Sequence, residues 1–139
     1  MEFIGAELTS VHQPGVFGSQ ILHLAAFADR ADDVLTALAA GADVNAIGDL
    51  GLSALHYATL GGAVEAARIL IERDVDFTIE NEYGETARQM ADLIGERNVS
   101  AVISHVDSTP THLADGAEAA RQRWQDFKAI QEQNFWPEQ

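Results

Sequence analysis

Apolar and polar positions in the middle of the chain follow the spacing of two short helices and an extended loop. A first helix is predicted over residues 54–60, closed by a pair of glycines, and a second over residues 65–73, whose apolar side chains share one face. Residues 74–78 then mix β-branched with acidic side chains and lead to another glycine, which predicts an extended finger with a turn. The local unit is therefore helix, short loop, helix and finger.

This unit recurs with a period of 33 residues. Leu55-His56-Tyr57-Ala58 in the middle unit corresponds to Leu22-His23-Leu24-Ala25 before it and to Arg88-Gln89-Met90-Ala91 after it. A single helix pair cannot bury its apolar face, so such units stack on their neighbours and build one continuous core. Because these stacks present extended surfaces rather than closed pockets, the period favours binding over catalysis.

The period also divides the chain into segments. We predict a lead-in over residues 1–17, a repeat domain over residues 18–106 with units at 18–50, 51–83 and 84–106, and a linker with an amphipathic helix over residues 107–139. A polar stretch with a proline, residues 107–111, marks the start of the last segment.

Three stretches carry a family resemblance. Gly51-Leu52-Ser53-Ala54-Leu55-His56-Tyr57-Ala58 resembles the ankyrin signature Gly-x-Thr-Pro-Leu-His-x-Ala, and Gly84-Glu85-Thr86-Ala87 resembles its form in a last repeat. Gly41-Ala42-Asp43-Val44-Asn45-Ala46 matches the ankyrin finger sequence at every position. The resemblance implies an all-α solenoid of stacked helix-turn-helix units with short finger loops, to which this chain adds a C-terminal helix.

The resemblance also assigns structural residues. It implies that His23 and His56 bridge backbone groups where the first helix of each unit begins, and that Gly41, Asp43 and Asn45 shape the finger. The histidines are therefore expected to be structural rather than catalytic or metal-binding.

The chain departs from the family pattern at several positions. Asp29 and Asp74 stand where glycine is usual, and aspartate can adopt the left-handed conformation at some cost relative to glycine. Asp32 is predicted to cap the second helix of the first unit. The third unit lacks the histidine and a finger of its own, so we expect the outer units to act as caps.

In ankyrin proteins, partners usually meet the finger tips and the exposed side of the first helices. Carried over by position, this implies an apolar column of Phe27, Leu60 and Leu93 beside Ala28, Gly61 and Ile94, and finger positions Ile47, Asp49, Leu50, Leu52, Glu80, Glu82, Tyr83 and Glu85. Exposure of the column predicts that Leu60→Arg abolishes binding and leaves the fold intact. The alternative is that flanking segments of the same chain cover the column and that the acids are only a solvated edge.

The C-terminal segment has a helical pattern with an aromatic stripe. Asp115 and Glu118 resemble a helix start, and Trp124, Phe127 and Ile130 then follow at helical spacing. This stripe must be buried against something. We favour packing as a cap on the third unit; a position in the apolar column, or pairing with a second copy as a homodimer, is the alternative.

Charge narrows the choice of partners. The chain has 22 acidic and 8 basic residues, a formal charge of −14. This argues against nucleic acid and anionic membranes and favours a basic protein partner, although solubility alone would also account for it. No apolar run reaches the length of a membrane span, cysteine is absent, and Met1-Glu2-Phe3-Ile4-Gly5 lacks the features of a signal peptide, so we expect a cytoplasmic protein.

Motifs for catalysis are absent from the sequence, which has no phosphate-binding glycine loop, zinc-protease helix or serine nucleophile turn. His105 and His112 are too few to indicate a metal site, so we expect neither cofactor nor metal. The sequence therefore predicts a non-catalytic protein-binding module. The alternatives are an inhibitor or immunity protein that neutralises a basic toxin or effector, and a scaffold or homo-oligomer assembled through the C-terminal helix.

Overall fold

A computed structural model describes residues 17–107 and 117–135 of the chain, without the side chains of residues 17–19, 117, 134 and 135. Within these residues there are seven α-helices, one 3₁₀ turn and no strand: α1 Phe17–Phe27, α2 Ala31–Ala39, the turn Asp49–Gly51, α3 Ala54–Gly61, α4 Val64–Glu72, α5 Ala87–Ile94, α6 Arg97–Ser104 and α7 Ala117–Phe135. Residues 1–16 of the predicted lead-in, His112 and the predicted cap Asp115 lie outside the described part.

The helices stack in two rows. The first helices of the three units, α1, α3 and α5, pack on one another and form what we call the inner row. The second helices, α2, α4 and α6, form the outer row, and each packs against the first helix of its own unit. The predicted all-α repeat solenoid is therefore confirmed, with the core between the rows.

Local sequence explains where the inner helices begin and end. Ser53 caps α3, because its side chain accepts the His56 N–H while the His56 side chain accepts the Ser53 N–H. Thr86 and Gln89 build the same reciprocal cap on α5. Both helices then end at a glycine in the left-handed conformation, as in Gly62 with φ 67°.

The outer helices are capped differently. Asp32 does not cap α2, so that prediction is wrong: the helix begins at Ala31, with Arg30 in the cap position, and Asp32 lies within the first turn. The α4 helix receives its cap from the preceding unit, since Asp29 Oδ1 accepts the Ala66 N–H at 3.0 Å. The side chain of Asp29 therefore ties the first unit to the second.

Aspartate replaces glycine at two left-handed positions, as the sequence predicts for Asp74. Asp29 has φ 56° and Asp74 has φ 64°. Leu50 has φ 58°, a value that costs a leucine roughly 1–2 kcal/mol and that the sequence pattern did not predict. Leu50 O accepts the Glu82 N–H at 2.9 Å, so the strained tip of the first finger is held against the second finger.

Small residues let the inner helices approach closely. Ala25, Ala26 and Ala58 are buried in the core. A Cβ at Gly61 would collide with the backbone carbonyl of Phe27, so α1 and α3 meet backbone to backbone at that point. This close contact fixes how the first unit stacks on the second.

Candidate functional site

The two signature histidines link backbone groups, and burial keeps them neutral. His56 Nδ1 accepts the Ser53 N–H at 3.1 Å, and its Nε2 donates to the carbonyl oxygen of Glu85 in the next unit at 2.8 Å. Burial lowers the pKa of His56 to about 4, against the smaller opposing effect of the Glu85 hydrogen bond. Neither nitrogen is free to act as a base or a metal ligand.

His23 sits at the same position of the first unit, but its contact differs. Its Nε2 donates to the carbonyl oxygen of Ala46 at 3.0 Å, and its ring stacks on Tyr57 with centroids 4.8 Å apart. Burial again lowers the pKa of His23, opposed by this hydrogen bond and by Asp49. Shifted back by one repeat, the His56 contact would place the acceptor at residue 52. The acceptor of His23 is instead Ala46, six residues earlier in the finger.

The first finger is built by the residues that the resemblance singles out. Gly41 has φ 102°, and Asp43 Oδ1 accepts the Asn45 N–H at 2.9 Å. Asn45 Oδ1 then accepts the Asp76 N–H at 2.7 Å, which joins the first finger to the second. These bonds fix the backbone that presents the finger tips.

The expected exposure of the apolar column is wrong. Phe27, Leu60 and Leu93 have exposed fractions of 6%, 0% and 7%, and Leu52 in the finger is also fully buried. Over Leu60 and Leu93 the reason is α7, whose main contacts are with α5 and α3 of the inner row. Of the alternatives left open by the sequence, a flank of the same chain covers these two positions, whereas Phe27 is buried within the core cluster.

The α7 helix is anchored mainly through one carboxylate. Trp124 is fully buried, and its Nε1–H donates to Glu85 Oε1 at 2.8 Å. Arg123 approaches Glu85 Oε2 at 3.5 Å, and Arg121 donates to the carbonyl oxygen of Leu93 at 2.6 Å. Glu85 was predicted to face a partner, but its carboxylate is occupied by this chain's own tail.

The aromatic stripe of α7 is only partly buried. Trp124 and Phe127 meet edge to face, with ring centroids 5.9 Å apart, and Phe127 packs against the core. Ile130 lies outside this contact, with 51% of its surface exposed. The favoured packing on the third unit agrees with the main contact of α7, which is with α5, but α7 also reaches α3 and so lies across the inner row rather than on the open outer helix.

The finger tips remain accessible. We call the exposed or half-exposed residues of the two fingers the finger edge: Ile47, Asp49, Leu50, Glu80, Glu82 and Tyr83. Ile47 and Tyr83 have exposed fractions of 51% and 46%, large values for apolar or aromatic side chains. The backbone bond from Glu82 to Leu50 sets the two fingers side by side, so that these residues form one surface.

The finger edge carries negative charge. Asp49, Glu80 and Glu82 are exposed, and none of them forms an ion pair with another described residue. Beside these acids, the Arg123 guanidinium lies over the Tyr83 ring at 3.7 Å. The edge is thus an aromatic and aliphatic patch bordered by carboxylates.

Residues 17–107 and 117–135 contain no group of three or more histidine, aspartate or glutamate side chains that could hold a metal ion, and His105 is exposed on its own. In the same residues no helix is both long and apolar enough to cross a membrane.

The repeats match a known family. A family model described as "Ankyrin repeats (3 copies)" matches residues 22–91, about half of the chain and most of the two helix rows. No curated protein matches the chain significantly.

Proposed function

The chain belongs to the ankyrin repeat family, whose members are generally protein–protein interaction modules, and we propose that it binds a basic protein partner, without catalysis, through the finger edge. The observation that supports this most is the pairing of exposed Ile47 and Tyr83 with three carboxylates that lack ion-pair partners among the described residues. Apolar anchors inside a charged border are typical of protein interfaces.

Charge complementarity favours a basic partner. The acids of the finger edge add to a formal charge of −14, which attracts cationic surfaces and speeds their encounter. The backbone bonds within and between the fingers preform the surface, so binding requires little rearrangement. The cytoplasm is the proposed location, in keeping with a chain that contains no cysteine.

A narrower form of the proposal is an inhibitor or immunity protein that blocks a basic toxin or effector. It would use the same edge and the same charge. A scaffold or homo-oligomer built through α7 has less support, because Trp124 and Phe127 pack against their own chain and only Ile130 of the stripe stays exposed.

The test compares charge and apolar substitutions on and off the finger edge. The full chain captures its partner from source cells, and the purified partner is then titrated against wild type, Ile47→Ser, Glu80→Lys and Glu72→Lys at low and high salt. Loss of the isoleucine contact should weaken binding roughly 10-fold or more, as expected for a buried aliphatic anchor. Glu80→Lys should weaken binding several-fold and reduce its salt dependence.

Glu72→Lys is the matched control, because Glu72 is an exposed acid at the end of α4, outside the finger edge, and the charge change is identical. It should bind like wild type apart from a small non-specific effect. Equal affinities for all three variants would refute the finger edge as the binding surface.

A further inference from the structure

We propose that the face of the inner row beneath α7 is a second binding site, which α7 occupies as an internal ligand. The partner that it fits is a helix with an arginine directly before an aromatic residue, the pair that Arg123 and Trp124 form in α7. This site lies on α3 and α5 and its assignment does not depend on what the finger edge binds.

The covered face has the features of a receptor site for such a helix. Leu60 and Leu93 form its apolar surface, and the Glu85 carboxylate can accept a hydrogen bond from an indole N–H and pair with a guanidinium. Glu85 is itself held in place, since Asn81 Nδ2 donates to its Oε1 at 3.0 Å and its backbone carbonyl accepts from His56. The acceptor is therefore preorganised independently of α7.

The α7 helix buries fewer of its side chains than α3, the inner helix that it contacts. Every residue of α3 from Ala54 to Leu60 is buried, whereas the described side chains of α7 that are buried are those of Ala120, Trp124 and Gln131. Gln131 lies on the buried side of α7. Its Oε1 atom is buried without a hydrogen-bond partner, which destabilises the contact.

A cleft beside Trp124 also indicates incomplete packing of α7. A cleft of about 110 Å³ lies between α7 and the inner row, lined by Leu60, Ile94, Glu96 and Trp124 together with Gln125 and Lys128. The cleft is open to solvent, so α7 packs less completely beside Trp124 than helices do inside a domain.

A partner helix can use this site by replacing α7. Departure of α7 alone would expose Leu60 and Leu93 to water, which is unfavourable. A partner helix that supplies the same arginine and aromatic contacts restores that burial. Its apparent affinity is then lowered mainly by the fraction of molecules in which α7 already occupies the site. Weakening the seat of α7 should therefore strengthen binding of a competing helix.

The experiment uses the full chain and a fluorescent peptide with the sequence of residues 117–135. Polarisation titrations compare wild type, Trp124→Ala and the control Gln133→Ala, which changes an exposed side chain of the same helix. The Trp124→Ala protein should bind the peptide at least 10-fold more tightly than wild type, and Gln133→Ala should match wild type. A peptide that lacks the tryptophan, or carries glutamate in place of its arginine before the tryptophan, should bind neither protein.

Three results would overturn the proposal. The first is a folded Trp124→Ala protein whose peptide affinity equals that of wild type. The second is a wild-type dimer in solution that exchanges α7 between copies, since the occupant would then be a second copy of the chain.

The third covers the case in which Trp124→Ala does not fold. Amide hydrogen exchange of the wild-type chain should show α7 opening well before α3. If α7 exchanges only with global unfolding, it is part of the cooperative core and not a ligand.

Discussion

His56→Gln tests the role of the buried histidine in both stability and acid sensitivity. Glutamine is the residue that the third unit uses at this position, where Gln89 Oε1 accepts the Thr86 N–H at 2.9 Å. The substitution therefore preserves the helix cap and removes the bond from the ring to the Glu85 carbonyl. Loss of one buried hydrogen bond should lower the free energy of unfolding at pH 7.5 by about 1–3 kcal/mol.

Acid should reduce or reverse the difference in stability between wild type and His56→Gln. The pKa of His56 is lowered to about 4 in the folded protein, so the folded state resists protonation while the unfolded state takes up a proton near pH 6.5. The stability that depends on neutral His56 is complete above pH 6.5 and is lost as the pH falls from 6.5 towards 4. One pKa unit corresponds to about 1.4 kcal/mol, so at pH 5 wild type should have lost about 2 kcal/mol that the variant keeps.

Urea unfolding of both proteins between pH 7.5 and 5 measures the difference. Carboxylates titrate in both chains, so their contribution cancels when the two curves are subtracted. The stability gap should shrink by about 2 kcal/mol and approach zero or change sign near pH 5. NMR titration of the His56 ring in wild type gives its pKa directly. A gap that is constant with pH, or a ring pKa near 6.5, would refute the reasoning.

Further substitutions test other contacts. Leu60→Arg, which the sequence alone predicts to leave the fold intact, should lower the free energy of unfolding by about 3–5 kcal/mol or prevent folding, because Leu60 is fully buried; a wild-type melting temperature would contradict this. Asp29→Ala should cost about 1–2 kcal/mol in urea unfolding through loss of the cap on α4, whereas Asp29→Asn should stay within about 0.5 kcal/mol of wild type; equal losses would exclude the cap. Asn45→Ala should cost about 1 kcal/mol because the Asp76 N–H loses its acceptor, with Asn45→Asp as the control that keeps an oxygen there.

The repeat architecture was predictable because its signals are local and periodic. The spacing of Leu55-His56-Tyr57-Ala58 and its two counterparts locates α3 and α5 to within a residue, whereas α1 begins about four residues before the position that the period gives. The left-handed conformation of Asp74 followed from its place in the period. Each of these inferences needs only the residues of one unit and the distance to the next.

The position of α7 was not predictable in the same way. No period relates residues 117–135 to the repeats, so the aromatic stripe shows that the helix must be buried but not where. The burial of Leu60 and Leu93 depends on that position and was therefore missed. The use of Glu85 as an internal acceptor was missed for the same reason, since an acid on a finger is equally compatible with solvent, a partner or a tail.

Tyr83 belongs to two surfaces at once. Its outer part is exposed on the finger edge, while its ring lies under Arg123 at 3.7 Å and meets Trp124 edge to face at 5.6 Å. A ligand that moves this ring changes the contacts of α7, and a change in α7 alters the ring that the ligand meets. If both proposed sites bind, thermodynamic reciprocity requires each ligand to change the affinity of the other by the same factor. Tyr83 is the side chain through which such coupling would pass, because it contacts α7 and also lies in the finger edge.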